Sequence, residues 1–123
     1  MKHLFVSLLL LSAATFALAA DDATLQGKWN VHLSVMGNES DQQCSFTVKG
    51  SEVGGECIQG QRTWPVTGKV EGKTITWQHN GEYNGDSLTI TYTGKLVAAD
   101  KFSGTLTVAP FGVGGDFTAA PAK

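Results

Sequence analysis

Charge is scarce and scattered in this chain. Only 16% of its 123 residues are charged, and the formal net charge is −2. No basic cluster of four or more residues occurs. Polyanion recognition needs such clusters, so nucleic acid and an anionic membrane surface are excluded as partners. One long apolar run opens the sequence and no second one follows, so no membrane span is expected beyond it. Catalytic signatures are missing as well. There is no Gly-x-Ser-x-Gly, no Cys-x-x-Cys and no Cys–His nucleophile arrangement. Gly112-x-Gly114-Gly115 is followed by no helix that could receive a phosphate. Beyond the leader the histidines are His32 and His79, on opposite strand faces, which argues against a zinc site. No metal, no cofactor and no enzymatic activity are expected.

What is present begins with a leader. Lys2 and His3 precede the apolar run LFVSLLLLSAATFALAA. Ala17-Leu18-Ala19 fits the small-x-small cleavage rule, so residues 1–19 read as a signal peptide, with Ala20 as the alternative cut. The run is short for an uncleaved anchor, and no basic stop-transfer flank follows it. Residues 20–123 then form a single exported domain, periplasmic or secreted.

In an oxidising compartment the two cysteines are expected to pair rather than remain as buried thiols. Their placement supports this. With a two-residue turn at Gly50–Ser51, Lys49 faces Glu52, Val48 faces Val53, Phe46 faces Gly55, and Cys44 faces Cys57. The cysteines fall on a non-hydrogen-bonded pair, the closer spacing in an antiparallel ladder, which suits a disulfide.

Strict alternation marks the other strands. In the first, Trp29, Val31, Leu33 and Val35 share the buried face, and His32 points to water. Residues 36–42 read as a loop and 58–62 as a connection. Residues 63–70 and 73–79 form a hairpin around Glu71–Gly72, with Gly68 facing Ile75, Val66 facing Trp77 and Trp64 facing His79. Residues 80–86 form a loop. A strand over 87–97 turns inward Leu88, Ile90, Tyr92, Gly94 and Leu96. One over 101–108 turns inward Phe102, Gly104, Leu106 and Val108. A last strand carries Phe117, and the tail after Ala120 is expected to fray.

Eight short strands with short connections leave almost no room for helix. They predict an all-β fold, an up-and-down antiparallel eight-stranded β-barrel, with a β-sandwich as the alternative. Inward glycines at 55, 68, 94, 104 and 115 favour the barrel, because they let a sheet bend.

With Gly27-x-Trp29 opening the first strand of an aromatic-lined meander, the chain resembles the lipocalin and avidin-type barrels. It is similar to small exported bacterial barrel proteins. It is also similar to the bacterial metalloprotease inhibitors in size, in Gly-x-Trp and in one early disulfide. The resemblance implies a barrel with a binding role, and no particular ligand.

The connections sort onto two ends. Gly50–Ser51, Glu71–Gly72 and Ala98–Asp100 are tight turns beside both termini. Residues 36–42, 58–62, 80–86 and 109–114 read as longer loops at the other end, which predicts a mouth there. The residues nearest that mouth are Met36, Arg62, Trp64, His79, Tyr83 and Phe111. They make up a candidate ligand pocket, and the expected function is binding of a small apolar or aromatic ligand, with a protein-binding module as the alternative. A filled interior would instead indicate a protein-binding module, such as a periplasmic protease inhibitor.

Overall fold

A computed structural model describes residues 25–122. The predicted signal peptide lies outside the described residues. Nine strand segments account for nearly all of them: β1 (Gly27–Val35), β2 (Asn38–Lys49), β3 (Glu52–Gln59), β4 (Arg62–Pro65), β5 (Thr67–Glu71), β6 (Thr74–Tyr83), β7 (Asp86–Ala98), β8 (Lys101–Ala109) and β9 (Val113–Pro121). All pair antiparallel with their chain neighbours, except that β5 returns to β3. The first and last strands, β1 and β9, also pair and close the sheet. β4 and β5 lie end to end along β3 in one unbroken register, from Gln59↔Arg62 to Glu52↔Lys69. They therefore fill one position, and the architecture is an eight-stranded barrel with one interrupted wall strand.

The alternation read from the sequence produces the core. Trp29, Val31, Leu33, Cys44, Phe46, Val53, Cys57, Val66, Ile75, Trp77, Tyr92, Phe102, Leu106, Val108 and Phe117 are buried. Leu88, Ile90 and Leu96 on β7 are half-buried and pack against it. The centre is an aromatic stack. Trp77 and Tyr92 lie face to face with centroids 3.7 Å apart. Phe46 meets Trp77 edge-on at 4.9 Å, and Phe117 meets Tyr92 edge-on at 5.3 Å. The interior is filled with side chains rather than hollow. Edge-to-face and offset contacts of this kind add to the burial energy.

The first hairpin has the expected register, from Lys49↔Glu52 to Cys44↔Cys57. The disulfide is formed, with the two Cα atoms 4.0 Å apart. Close strand approach explains the inward glycines. Gly94 and Gly104 face each other, and a Cβ on Gly104 would sit 2.0 Å from the Thr93 carbonyl oxygen. Gly55 differs from expectation. It is exposed rather than buried, with φ +122°, a conformation open to glycine alone.

Four further expectations are corrected. Residues 36–42 are not a loop: β2 starts at Asn38, and the turn is only Met36–Gly37. The other connections at that end are two or three residues long: Gly60–Gln61, Asn84–Gly85 and Pro110–Gly112. The β5–β6 turn is Gly72–Lys73, which shifts the register by two residues, so that Gly68 faces Trp77 and Val70 faces Ile75. A shift of two keeps every side chain on its face. The C-terminal tail is tied down, since Trp29 pairs with Pro121 and Ala122 N–H donates to Lys28 O at 2.9 Å.

Candidate functional site

The interior changes character toward the end that carries Met36–Gly37, Gly60–Gln61, Asn84–Gly85 and Pro110–Gly112. There three polar side chains meet inside the wall. Tyr92 Oη lies 2.8 Å from His79 Nε2, and Gln42 Nε2 donates to Tyr92 Oη at 2.9 Å. His79 Nδ1 lies 2.7 Å from the Asn80 carbonyl oxygen, which can only accept, so Nδ1 carries the proton. Nε2 is then free to accept the Tyr92 hydroxyl proton. Every bond is consistent with a neutral imidazole and a neutral phenol. Burial acts the same way. It lowers the His79 pKa, against the pull of the Asn80 bond, and raises that of Tyr92, against the Gln42 bond. Nearby, the indole N–H of Trp77 is buried without an acceptor.

Why His79 reaches for Asn80 O follows from the ladder. Hydrogen-bonded and non-hydrogen-bonded pairs alternate from a two-residue turn outward. From Glu71↔Thr74, the bonded pairs are Lys69↔Thr76 and then Thr67↔Gln78. The next would be Pro65 with Asn80. Proline has no N–H to give. The β5–β6 ladder ends at Thr67↔Gln78, and β4 pairs with β3 alone. The carbonyl of Asn80, left without a strand donor, takes the His79 ring N–H instead.

The wall therefore opens between β4 and the end of β6. A groove of about 480 Å³ lies there, lined by Arg62, Trp64, Asn80, Gly81, Glu82, Ser87, Leu88, Thr89, Ala109 and Pro110. Arg62 Nη1 donates to Glu82 Oε1 across it at 2.8 Å, and the Arg62 guanidinium stacks 4.7 Å from the Trp64 ring. Of the six residues singled out from sequence, the groove brings together Arg62 and Trp64. Met36, Tyr83 and Phe111 stand exposed at or beside the turns of the same end, and His79 is buried behind the wall. Sequence reading missed Gln42, which was assigned to a loop. Its signal was the period of two that runs Gln42, Cys44, Phe46. Asn80 and Glu82 were also missed, and Pro65 was the pointer to them.

A second cluster lies on the outer face of the β1–β2 hairpin. His32 Nδ1 meets Asp41 Oδ1 at 2.7 Å, and Nε2 meets Glu39 Oε1 at 2.6 Å. Carboxylates on both nitrogens require the imidazolium form, and the bonds to Asp41 and Glu39 raise the His32 pKa. Among the described residues no group of three His, Cys, Asp or Glu could hold a metal, and no helix is long and apolar enough to cross a membrane.

These features define a closed antiparallel β-barrel with a packed centre. The fold is similar to that of a solved redesigned β-barrel, at 16% identity over 83% of this chain and 95% of that one, with a TM-score of 0.64. At that identity the likeness concerns the fold alone. No protein-family model matches the sequence, and no curated protein matches it.

Proposed function

We propose that this protein is an exported binding module that contacts a partner protein through the rim at the Met36–Gly37 end. The observation that carries the reading is where the exposed apolar side chains lie. Met36 (76% exposed), Ile58, Tyr83 (58%) and Phe111 (49%) belong to this end, and Val97 to the other. Apolar side chains gathered at one end of a domain mark a contact surface. A packed interior leaves the rim as the place for recognition. Arg62 and Trp64 extend the same surface, and His79 supports it from behind by holding Asn80. The disulfide is compatible with an oxidising location, periplasmic or secreted, as the leader implies. This reading is in keeping with the resemblance to exported inhibitor barrels.

A photo-crosslinking amino acid placed singly at Tyr83, Phe111 and Val97, in cells that make the protein natively, tests the proposal. One discrete protein adduct is expected from positions 83 and 111 and none from 97. Equal adducts from all three, or none from the rim, would sink it. A second reading, a small apolar or aromatic ligand held against Trp64 and Arg62, is favoured by the groove between β4 and β6. Native mass spectrometry showing a retained molecule that is lost on Trp64→Ala would replace the first reading with this one.

A further inference from the structure

The wall gap is framed by backbone. Alternation along β6 can be counted from both of its turns, and the counts agree. From Tyr83↔Asp86, residues 83, 81 and 79 direct their N–H and C=O toward β7. From Glu71↔Thr74, residues 74, 76 and 78 direct theirs toward β5. Asn80 and Glu82 therefore point at the gap. On the opposite wall, Arg62 and Trp64 bond toward β3, and so does Val66, whose N–H donates to Gly55 O at 2.9 Å. That leaves Thr63 and the Pro65 carbonyl facing the gap. Among the described residues no strand pairs with these groups. A barrel elsewhere without edges thus keeps a short one here.

The spacing of the open groups selects the ligand. Asn80 and Glu82 are two residues apart on one strand, about 6.8 Å in an antiparallel sheet. Another extended chain offers donors and acceptors at that interval. We infer that the gap between β4 and β6 is a strand-acceptor site, which takes an extended segment of a partner protein against the Asn80–Glu82 edge. The inference rests on the protein-binding reading and names the form the partner presents. Main-chain bonds to Asn80 N–H and to Glu82 N–H and C=O hold such a segment, while alternate side chains meet Trp64 and Leu88. Those contacts favour small or apolar residues at every second position. The Arg62–Glu82 ion pair is the only side-chain hydrogen bond across the gap between described residues, and both partners are well exposed. An exposed pair is a weak latch, and a segment entering the groove must displace it. Pro65 keeps the site open by denying Asn80 the bond that would zip β4 to β6.

The test uses heptapeptides selected from a random displayed library on the disulfide-bonded protein. Bound peptide is expected to shift and protect the amide protons of Asn80 and Glu82. N-methylation of alternate peptide residues in one phase should weaken binding at least tenfold, and in the other phase hardly at all. Pro65→Val, which restores the missing N–H and closes the wall, should weaken binding at least tenfold with an unchanged fold. Peptides that bind elsewhere on the rim, or that tolerate N-methylation in both phases, overturn the strand-acceptor site and leave the protein-binding reading standing. Failure to select any binding peptide overturns the strand-acceptor site as well. Rim crosslinks absent alongside a peptide bound at Asn80–Glu82 would overturn the rim surface and keep the site.

Discussion

The two ends of this barrel are closed by different means. At the end with Gly50–Ser51 and Gly72–Lys73, residues before β1 fold back as a seal. Buried Trp29 donates its indole N–H to Leu25 O at 2.8 Å, and Val48 N–H donates to Gln26 Oε1 at 3.0 Å. At the opposite end the wall is interrupted, the interior turns polar at Gln42, His79 and Tyr92, and apolar side chains face water. One end is stabilised by burial and the other by hydrogen bonds among groups that burial disfavours. A domain that keeps its stability at one end can leave the other incomplete for recognition.

The same substitution made at both ends sharpens that comparison. Trp29→Ala removes a fully buried ring and should cost about 3–5 kcal/mol. Trp64→Ala, at a ring only partly buried beside the groove, should cost less, roughly 1–2 kcal/mol. Denaturant unfolding of the two variants gives both numbers, and equal costs would erase the distinction. Next in size is the disulfide, which joins β2 to β3 across 13 residues of sequence on the rim side. Replacing both cysteines with alanine should lower stability by about 3 kcal/mol in the chain-entropy model. Hydrogen exchange should then rise first in β3, β4 and the Gly60–Gln61 turn. A uniform rise through β7 and β8 would contradict a rim-side role.

The smallest effect concerns pH, where the two histidines act in opposite senses. His79 has a folded pKa below its ordinary 6.5, so above 6.5 its neutral form costs nothing. As pH falls below 6.5 the unfolded chain takes up a proton that the folded one refuses, and stability drops. His32 has a raised folded pKa, so its contribution is fully present below 6.5 and is lost as pH rises through the folded value. Its exposure keeps that contribution small. In His32→Asn the fall in stability toward acid should steepen. In His79→Gln it should flatten. Thermal melts between pH 5 and 8 check both, and an unchanged slope in His79→Gln would show that the buried ring is not the acid-sensitive group.

The fold was legible wherever local chemistry left one solution. Gly50–Ser51 and two facing cysteines pinned β2 to β3, and period-two alternation placed nearly every core residue. The rim was less legible for reasons that can be named. Asn38, Glu39, Ser40 and Asp41 are loop-like by composition, yet they extend β2, because their partners on β1 supply the ladder and His32 pairs with two of them. Gln42 is inward but polar, and only its bonds to His79 and Tyr92 make that position tolerable. Glu71–Gly72 and Gly72–Lys73 are both acceptable turns, and only the strands beyond decide between them. Pro65 signalled that an N–H was missing, but which carbonyl lost it depended on that turn.

Barrel closure also sets the order in which the chain can become a protein. Trp29 and Pro121, about 90 residues apart, are partners in the last seam, between β1 and β9. Hairpins such as β2–β3 and β6–β7 can form locally as the chain emerges, while that seam waits for the C-terminal strand. Closing a seam between residues that far apart is slow, because the loop-closure entropy is lost before the pairing rewards it. Throughout that interval the free edges of β1 and β9 are sticky. A chain cut short before residue 115 never acquires the strand that covers them. Truncation near the C-terminus should therefore yield aggregates rather than a smaller barrel.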